Sequence, residues 1–151
     1  MSRSICIVLT ACLIAFPGCS DDDEDDVDPA TRSLMDEWVE ARKINDAVTC
    51  ECDVESGLFE SVEDCVTFTS ALGGIFVECA SPIYSEHAGV MHPLLECEIE
   101  AVRADTQCLE EAACDDDATD ACFTQYTEAS DACDPPPDDI MQELDAACSL
   151  E

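Results

Sequence analysis

The chain has 151 residues, of which 37 are acidic and only 5 are Lys or Arg, so its formal net charge is −32. A surface this negative repels phosphate groups, which excludes nucleic-acid binding and docking onto an anionic membrane through a basic patch. Thirteen cysteines argue against a reducing cytosol, and the length allows one domain with a tail.

The first segment has the pattern of a secretory signal peptide. Arg3 is followed by an apolar run over residues 5–16, which Pro17 and Gly18 end. A membrane-spanning helix needs about 20 apolar residues, so this shorter run is typical of a signal peptide. We expect residues 1–18 to be removed from the mature protein.

The end of this run, Phe16-Pro17-Gly18-Cys19, resembles the lipobox of bacterial lipoproteins. The resemblance implies that Cys19 is lipidated, becomes the mature N-terminus and attaches the protein to a membrane. A second match at Cys12 would leave an apolar run of only about five residues, too short for export, and an odd thiol at Cys19. The alternative is ordinary signal-peptide removal near Ser20, which would give a freely secreted protein.

Residues 19–30 are predicted to form the lipidated cysteine and an acidic, disordered tether. A block of like charges containing a single apolar residue, Val27, cannot collapse and should stay extended. Weak binding of divalent cations is an alternative role for these carboxylates. In the lipoproteins that the lipobox resembles, Ser20 beside the lipidated cysteine is compatible with sorting to the outer membrane.

From Thr31 onward the apolar residues recur at helical spacing, and no segment alternates as a strand should. The sequence therefore predicts that residues 31–151 form an all-α domain, a small disulfide-stapled bundle of about five helices. We expect Thr31 or Ser33 to cap the first helix, and residues 81–93 to form a connection. The other four helices are predicted at about Ser61–Cys79, Pro93–Ala112, Thr119–Cys133 and Asp138–Cys148.

The cysteine spacing predicts a helical hairpin. Cys97 and Cys108 are eleven residues apart, as are Cys122 and Cys133. Eleven residues turn a helix through about three turns, so each pair lies on one face. Antiparallel packing then predicts the disulfides Cys97–Cys133 and Cys108–Cys122. This twin CX10C arrangement resembles the twin-CX9C hairpins of coiled-coil-helix proteins, a resemblance that implies geometry and no function.

The remaining cysteines are also expected to form disulfides. A fifth helix that folds back would bring its last cysteine to the hairpin tip, and the start of the second helix should lie near a turn at residues 50–52. Zinc is the alternative, but these spacings lack the paired C-x2-C ligands of zinc sites. The expected pairs are Cys114–Cys148, Cys52–Cys65 and Cys50–Cys79.

Residues for catalysis are scarce. Only His87 and His92 are candidate bases at neutral pH, and we expect both to be partly exposed in the connection. A metal site that combines them with Glu86 or Glu96 is the alternative. No nucleophile elbow, phosphate-binding glycine loop or H-E-x-x-H motif occurs, so we expect no enzyme activity and no cofactor.

The acidic loop between the third and fourth helices is the candidate calcium site. Its carboxylates belong to Asp115, Asp116, Asp117 and Asp120, and carboxylate oxygens are ligands that Ca²⁺ prefers. The alternative is that they stabilise the N-terminus of the following helix, where negative charge is favourable.

Together these features predict an acidic lipoprotein of the bacterial cell envelope, anchored in the outer membrane through its lipid. Its expected role is structural or in protein interaction, with another envelope protein or a cationic ligand as the partner. The alternatives are a weak calcium-binding protein and a freely secreted helical protein.

Overall fold

The computed structural model describes residues 27–149 and, for residues 71–75, the backbone alone. Within this range the chain forms five α-helices and no strand, so the predicted all-α class is confirmed. The predicted signal peptide, Cys19 and residues 20–26 of the predicted tether lie outside the described residues. The helices are α1 (Pro29–Glu55), α2 (Val62–Glu86), α3 (Ala88–Ala112), α4 (Asp116–Asp131) and α5 (Asp138–Cys148).

The longest helix, α1, lies at the centre of the bundle. It packs along both α2 and α3, while α4 packs on the outer side of α3 and α5 packs on α2. Its 27 residues span about 40 Å. The main core lies between α1, α2, α3 and α5, where Met35, Met91 and Leu95 are almost completely buried. Within the described part of the chain, no helix is both long enough and apolar enough to cross a membrane.

α1 begins earlier than the sequence predicts. Asp28, rather than Thr31 or Ser33, caps the helix, because its carboxylate accepts hydrogen bonds from the backbone N–H groups of Ala30 and Thr31 at 2.9 and 3.0 Å. Pro29 follows at the first helical position, where its missing N–H costs nothing. The folded domain therefore includes Asp28, which we had assigned to the tether.

The predicted connection over residues 81–93 is wrong. α2 continues through Pro82 to Glu86, and α3 begins at Ala88, so His87 alone separates the two helices. The backbone of His87, with φ −106° and ψ 29°, is not helical.

Burial of apolar side chains explains why the prolines do not end these helices. Ile83 and Tyr84 follow Pro82 and are buried in the main core, as is Met91, two residues before Pro93. A proline inside a helix costs about 3 kcal/mol, whereas each of these side chains contributes about 1.5–3 kcal/mol when buried.

Ten cysteines form five disulfides, with Cα–Cα distances between 5.2 and 5.8 Å. Both bonds predicted for the hairpin of α3 and α4 are present. The other three predicted pairs, Cys114–Cys148, Cys52–Cys65 and Cys50–Cys79, are wrong. The five bonds are Cys50–Cys65, Cys52–Cys114, Cys79–Cys148, Cys97–Cys133 and Cys108–Cys122.

Two features of the helices explain the different pairing. Cys50 and Cys52 lie within α1 rather than in a turn, and two residues rotate a helix by about 200°, so they point to opposite sides. Cys50 therefore reaches α2, and Cys52 reaches the turn between α3 and α4. α5 packs along α2 instead of the hairpin, so Cys148 meets Cys79.

Candidate functional site

A cavity of about 750 Å³ lies between α5 and the rest of the bundle. We call it the α5 cleft. Its size is within the range of about 300–1,000 Å³ typical of small-molecule sites. Its walls come from all five helices and the segment that joins α4 to α5, and they are mostly apolar. The principal apolar residues are Trp38, Phe76, Tyr84, Leu94, Met141 and Leu144.

Three aromatic side chains form one wall of the α5 cleft. The ring centroids of Trp38 and Phe76 are 5.8 Å apart, and those of Phe76 and Tyr84 are 6.4 Å apart with nearly perpendicular planes. Arg42 lies 5.9 Å from the centroid of the Trp38 ring, so that ring already interacts with a cation. The wall combines a large apolar surface with ring faces that attract positive charge.

The opposite wall is α5, which is held at both of its ends. Cys148 is bonded to Cys79 of α2, and the chain enters α5 through Pro135, Pro136 and Pro137, which restrict the backbone. Ile140 and Leu144 face the core, whereas Met141 lies at the cleft and is 42 % exposed. The cleft is therefore a gap between fixed elements and remains open to solvent.

The charged side chains that line the α5 cleft are all acidic: Glu98, Asp131 and Asp145. One carboxylate oxygen of Glu98 accepts a hydrogen bond of 2.7 Å from the Ser130 hydroxyl, which ties α3 to the end of α4. In the part of the chain that the structure describes, no Lys, Arg or His lines the cleft. The cleft therefore pairs an apolar interior with negative charge.

Tyr84 is the buried polar group of the α5 cleft. The residue as a whole is 7 % exposed, and its hydroxyl, which has no hydrogen-bond partner among the described residues, is accessible from the cleft. Burial, and then the negative charge of Glu98, raise the pKa of Tyr84 above its usual value. The phenol therefore stays neutral at physiological pH, and its hydroxyl is free to bond with a molecule in the cleft.

His87 lies between α2 and α3, beside α5. Its Nε2 atom is 3.1 Å from a carboxylate oxygen of Glu143, and one ligand atom from each of Glu86, His87 and Glu143 lies within 4.8 Å of the others. Of the two acidic residues that the sequence offers as metal ligands beside the histidines, Glu86 therefore lies near His87, and Glu96 is not part of the group. The sequence could not indicate Glu143, because α5 was expected to pack elsewhere.

The second histidine belongs to a separate, partly buried network. His92 is on α3, and its Nε2 atom is 2.7 Å from the Thr31 hydroxyl, which also donates to the Asp28 carboxylate. Hydrogen bonds from Thr31, Ser85 and Ala30 lower the pKa of Asp28 to about 2, those from Thr31 having the largest effect. Because Thr31 is completely buried, a substrate has no access to its hydroxyl, and the network serves to join the starts of α1 and α3.

The predicted calcium candidates lie at the start of α4. Asp115 caps the helix by accepting a 3.0 Å hydrogen bond from the backbone N–H of Ala118, and Asp116 and Asp117 occupy the first turn. All three are exposed, as is Asp120. Within residues 27–149 the grouping at His87 meets the distances of a metal site, whereas these carboxylates do not converge in that way.

No protein-family model, curated protein sequence or solved structure matches this chain. Its own residues therefore carry the functional argument.

The sequence does not indicate the α5 cleft, because its residues come from distant parts of the chain. One local signal was present: Phe76, Ala80 and Tyr84 continue a helical spacing of four beyond Cys79. That spacing predicts that α2 extends through Pro82 and brings Tyr84 to the same bundle as Trp38.

Proposed function

We propose that this protein is a lipoprotein of the bacterial cell envelope whose helical domain binds a small, largely apolar ligand. The observation that carries the binding role is the α5 cleft, an open cavity lined by three aromatic side chains, one of which, Tyr84, has a hydroxyl without a hydrogen-bond partner among the described residues. Unpaired polar groups in an apolar cavity favour a ligand that supplies the missing hydrogen bond.

The proposed location rests on the cysteines and on the N-terminal sequence. Five disulfides are typical of an oxidising compartment outside the cytosol. Residues 1–18 and Cys19 have the pattern of an exported, lipidated N-terminus, which would anchor the domain in the outer membrane. Replacing Cys19 with Ser should then move the protein from the membrane fraction to the soluble fraction.

A binding role, rather than catalysis, is supported by the position of the polar groups. The hydroxyl of Thr31, which lies between a carboxylate and an imidazole, is buried away from solvent. Tyr84 and the acidic side chains at the α5 cleft can orient a ligand by hydrogen bonds and charge.

Titration of the oxidised protein with the neutral apolar dye Nile red tests the binding role. We expect saturable dye fluorescence and a simultaneous change in the emission of Trp38, the only tryptophan in the chain. Met141→Asp, which makes the cleft wall polar, should weaken binding by about tenfold. Phe123→Asp is the matched control, because Phe123 is 67 % exposed and lies outside the cleft. Absence of saturable binding, or equal loss in both variants, would contradict the proposal.

A second candidate function is the binding of a divalent metal ion, which the grouping of Glu86, His87 and Glu143 favours. An imidazole with two carboxylates suits Zn²⁺ better than Ca²⁺. Calorimetric titration with Zn²⁺ should give heat in the native protein and in His92→Gln, but not in His87→Gln. Equal heat in all three proteins would exclude this site.

A further inference from the structure

The polar side chains that line the α5 cleft are carboxylates and hydroxyls, and every one of them can accept a hydrogen bond. Glu98 has one carboxylate oxygen bonded to Ser130, and its other oxygen has no partner among the described residues. Tyr84 lines the same cavity as Glu98, and its hydroxyl has no hydrogen-bond partner among the described residues. Asp131 and Asp145 add two exposed carboxylates at the same cavity.

A ligand must match both this charge and the apolar wall. A carboxylate or phosphate ligand would meet three acidic side chains and no basic one, which opposes binding. A neutral apolar ligand would fill the cavity but leave the acceptors unpaired. An ammonium group has three donors and a positive charge, so it satisfies both Glu98 and Tyr84.

The aromatic wall adds to this preference. Ring faces attract cations within about 6 Å, and the Trp38 ring already has Arg42 at 5.9 Å from its centroid. Among the described residues, no Lys or Arg lies over the rings of Phe76 and Tyr84. An ammonium group bound beside Glu98 would lie in the same cavity as these two rings.

From this arrangement we propose that the α5 cleft binds an amphipathic cation, a small molecule with an apolar body and a single ammonium group. The apolar body lies against Trp38, Phe76 and Leu144, and the ammonium group is bound by Glu98 and Tyr84. This inference rests on the proposed binding function and specifies the chemical class of its ligand.

Three probes with the same chain and different heads test this proposal: decylammonium, decan-1-ol and decanoate, each below its micelle concentration. Trp38 emission reports binding to the oxidised, full mature protein, in about 150 mM salt to screen the diffuse field of the chain. We expect decylammonium to bind at least about tenfold more tightly than either comparison probe.

Two variants test whether Glu98 causes the preference for the ammonium probe. Glu98→Gln should bring decylammonium binding to the level of decan-1-ol, whereas Glu100→Gln, an exposed site on α3 that does not line the cleft, should leave it within about twofold. An equal loss in both variants would overturn the proposal, because attraction would then come from the overall charge.

The outcomes separate this inference from the proposed function. If Nile red binds but the three probes bind equally, the α5 cleft is a ligand site and its cation preference is wrong. If neither Nile red nor any probe changes Trp38 emission, both proposals fail. A dimer that hides Trp38 from all probes would also overturn the inference, and sedimentation at several concentrations would reveal it.

Discussion

Cys79 in α2 and Cys148 at the last residue of α5 are joined by a disulfide, with their Cα atoms 5.3 Å apart. Among the described residues, this is the covalent cross-link that holds α5 to the bundle. It therefore fixes the wall of the α5 cleft that contains Met141 and Leu144.

Removal of this disulfide should open the cleft. In Cys79→Ser/Cys148→Ser we expect the free energy of unfolding to fall by about 2–4 kcal/mol and the Trp38 emission to shift to longer wavelength. Cys108→Ser/Cys122→Ser is the matched control, because it removes a bond within the α3–α4 hairpin and should leave Trp38 emission unchanged. An emission spectrum that is unaltered in the first variant would show that α5 stays closed without its disulfide.

The cap at Asp28 should make stability depend on acid. Its pKa is lowered to about 2 from 3.8, so the folded state favours the carboxylate, and this contribution is present above pH 3.8 and lost as the pH falls through about 2. Asp28→Asn keeps a capping side chain but does not titrate. Urea unfolding should show that the difference between the native protein and this variant shrinks over that pH interval. A difference that is constant with pH would contradict the assignment.

Tyr84 should ionise at unusually high pH. The chain has two tyrosines, so Tyr126→Phe leaves Tyr84 as the single phenol for an ultraviolet absorbance titration. We expect its midpoint above 10.0, and Glu98→Gln should lower that midpoint only in part because burial is the larger cause. Since the folded state favours the neutral phenol, stability should fall as the pH rises above 10.0. A midpoint at 10.0 or below would contradict the burial of Tyr84 beside the cleft.

The turn between α3 and α4 contains two non-glycine residues in the left-handed region, Ala113 and Cys114. Ala113 has φ 49°, a conformation that glycine adopts without the steric cost of a Cβ atom. Ala113→Gly should therefore raise the free energy of unfolding, by up to about 1 kcal/mol. Ala112→Gly, at the last helical residue, should lower it by about the same amount. Thermal unfolding of both variants measures the difference, and destabilisation by Ala113→Gly would be inconsistent with this turn.

The sequence predicted the parts of the fold that depend on helical periodicity. Cys97 and Cys108 repeat at the same interval as Cys122 and Cys133, so a single assumption of antiparallel packing was enough to pair them. The α3–α4 hairpin is thus encoded locally.

The other disulfides depend on helix lengths that local patterns do not fix. The sequence predicts a connection over residues 81–93, whereas the burial of Tyr84 in the core carries α2 past Pro82 to Glu86. The sequence places Cys50 and Cys52 in a turn, whereas the longer α1 directs them to opposite sides. The burial of side chains from distant segments determines where these helices end. The α5 cleft forms only because the helices have these lengths.

The mass of the intact, unreduced protein from the membrane fraction tests the central claim most directly, because it reports export, lipidation and disulfides together. We expect a chain that begins at acylated Cys19, with all ten later cysteines oxidised, and a non-reduced peptide map that links Cys79 to Cys148. A chain that begins near Ser20 without lipid would contradict the membrane anchor. Free thiols, or Cys148 linked to Cys114, would contradict the position of α5 and the cleft that it forms.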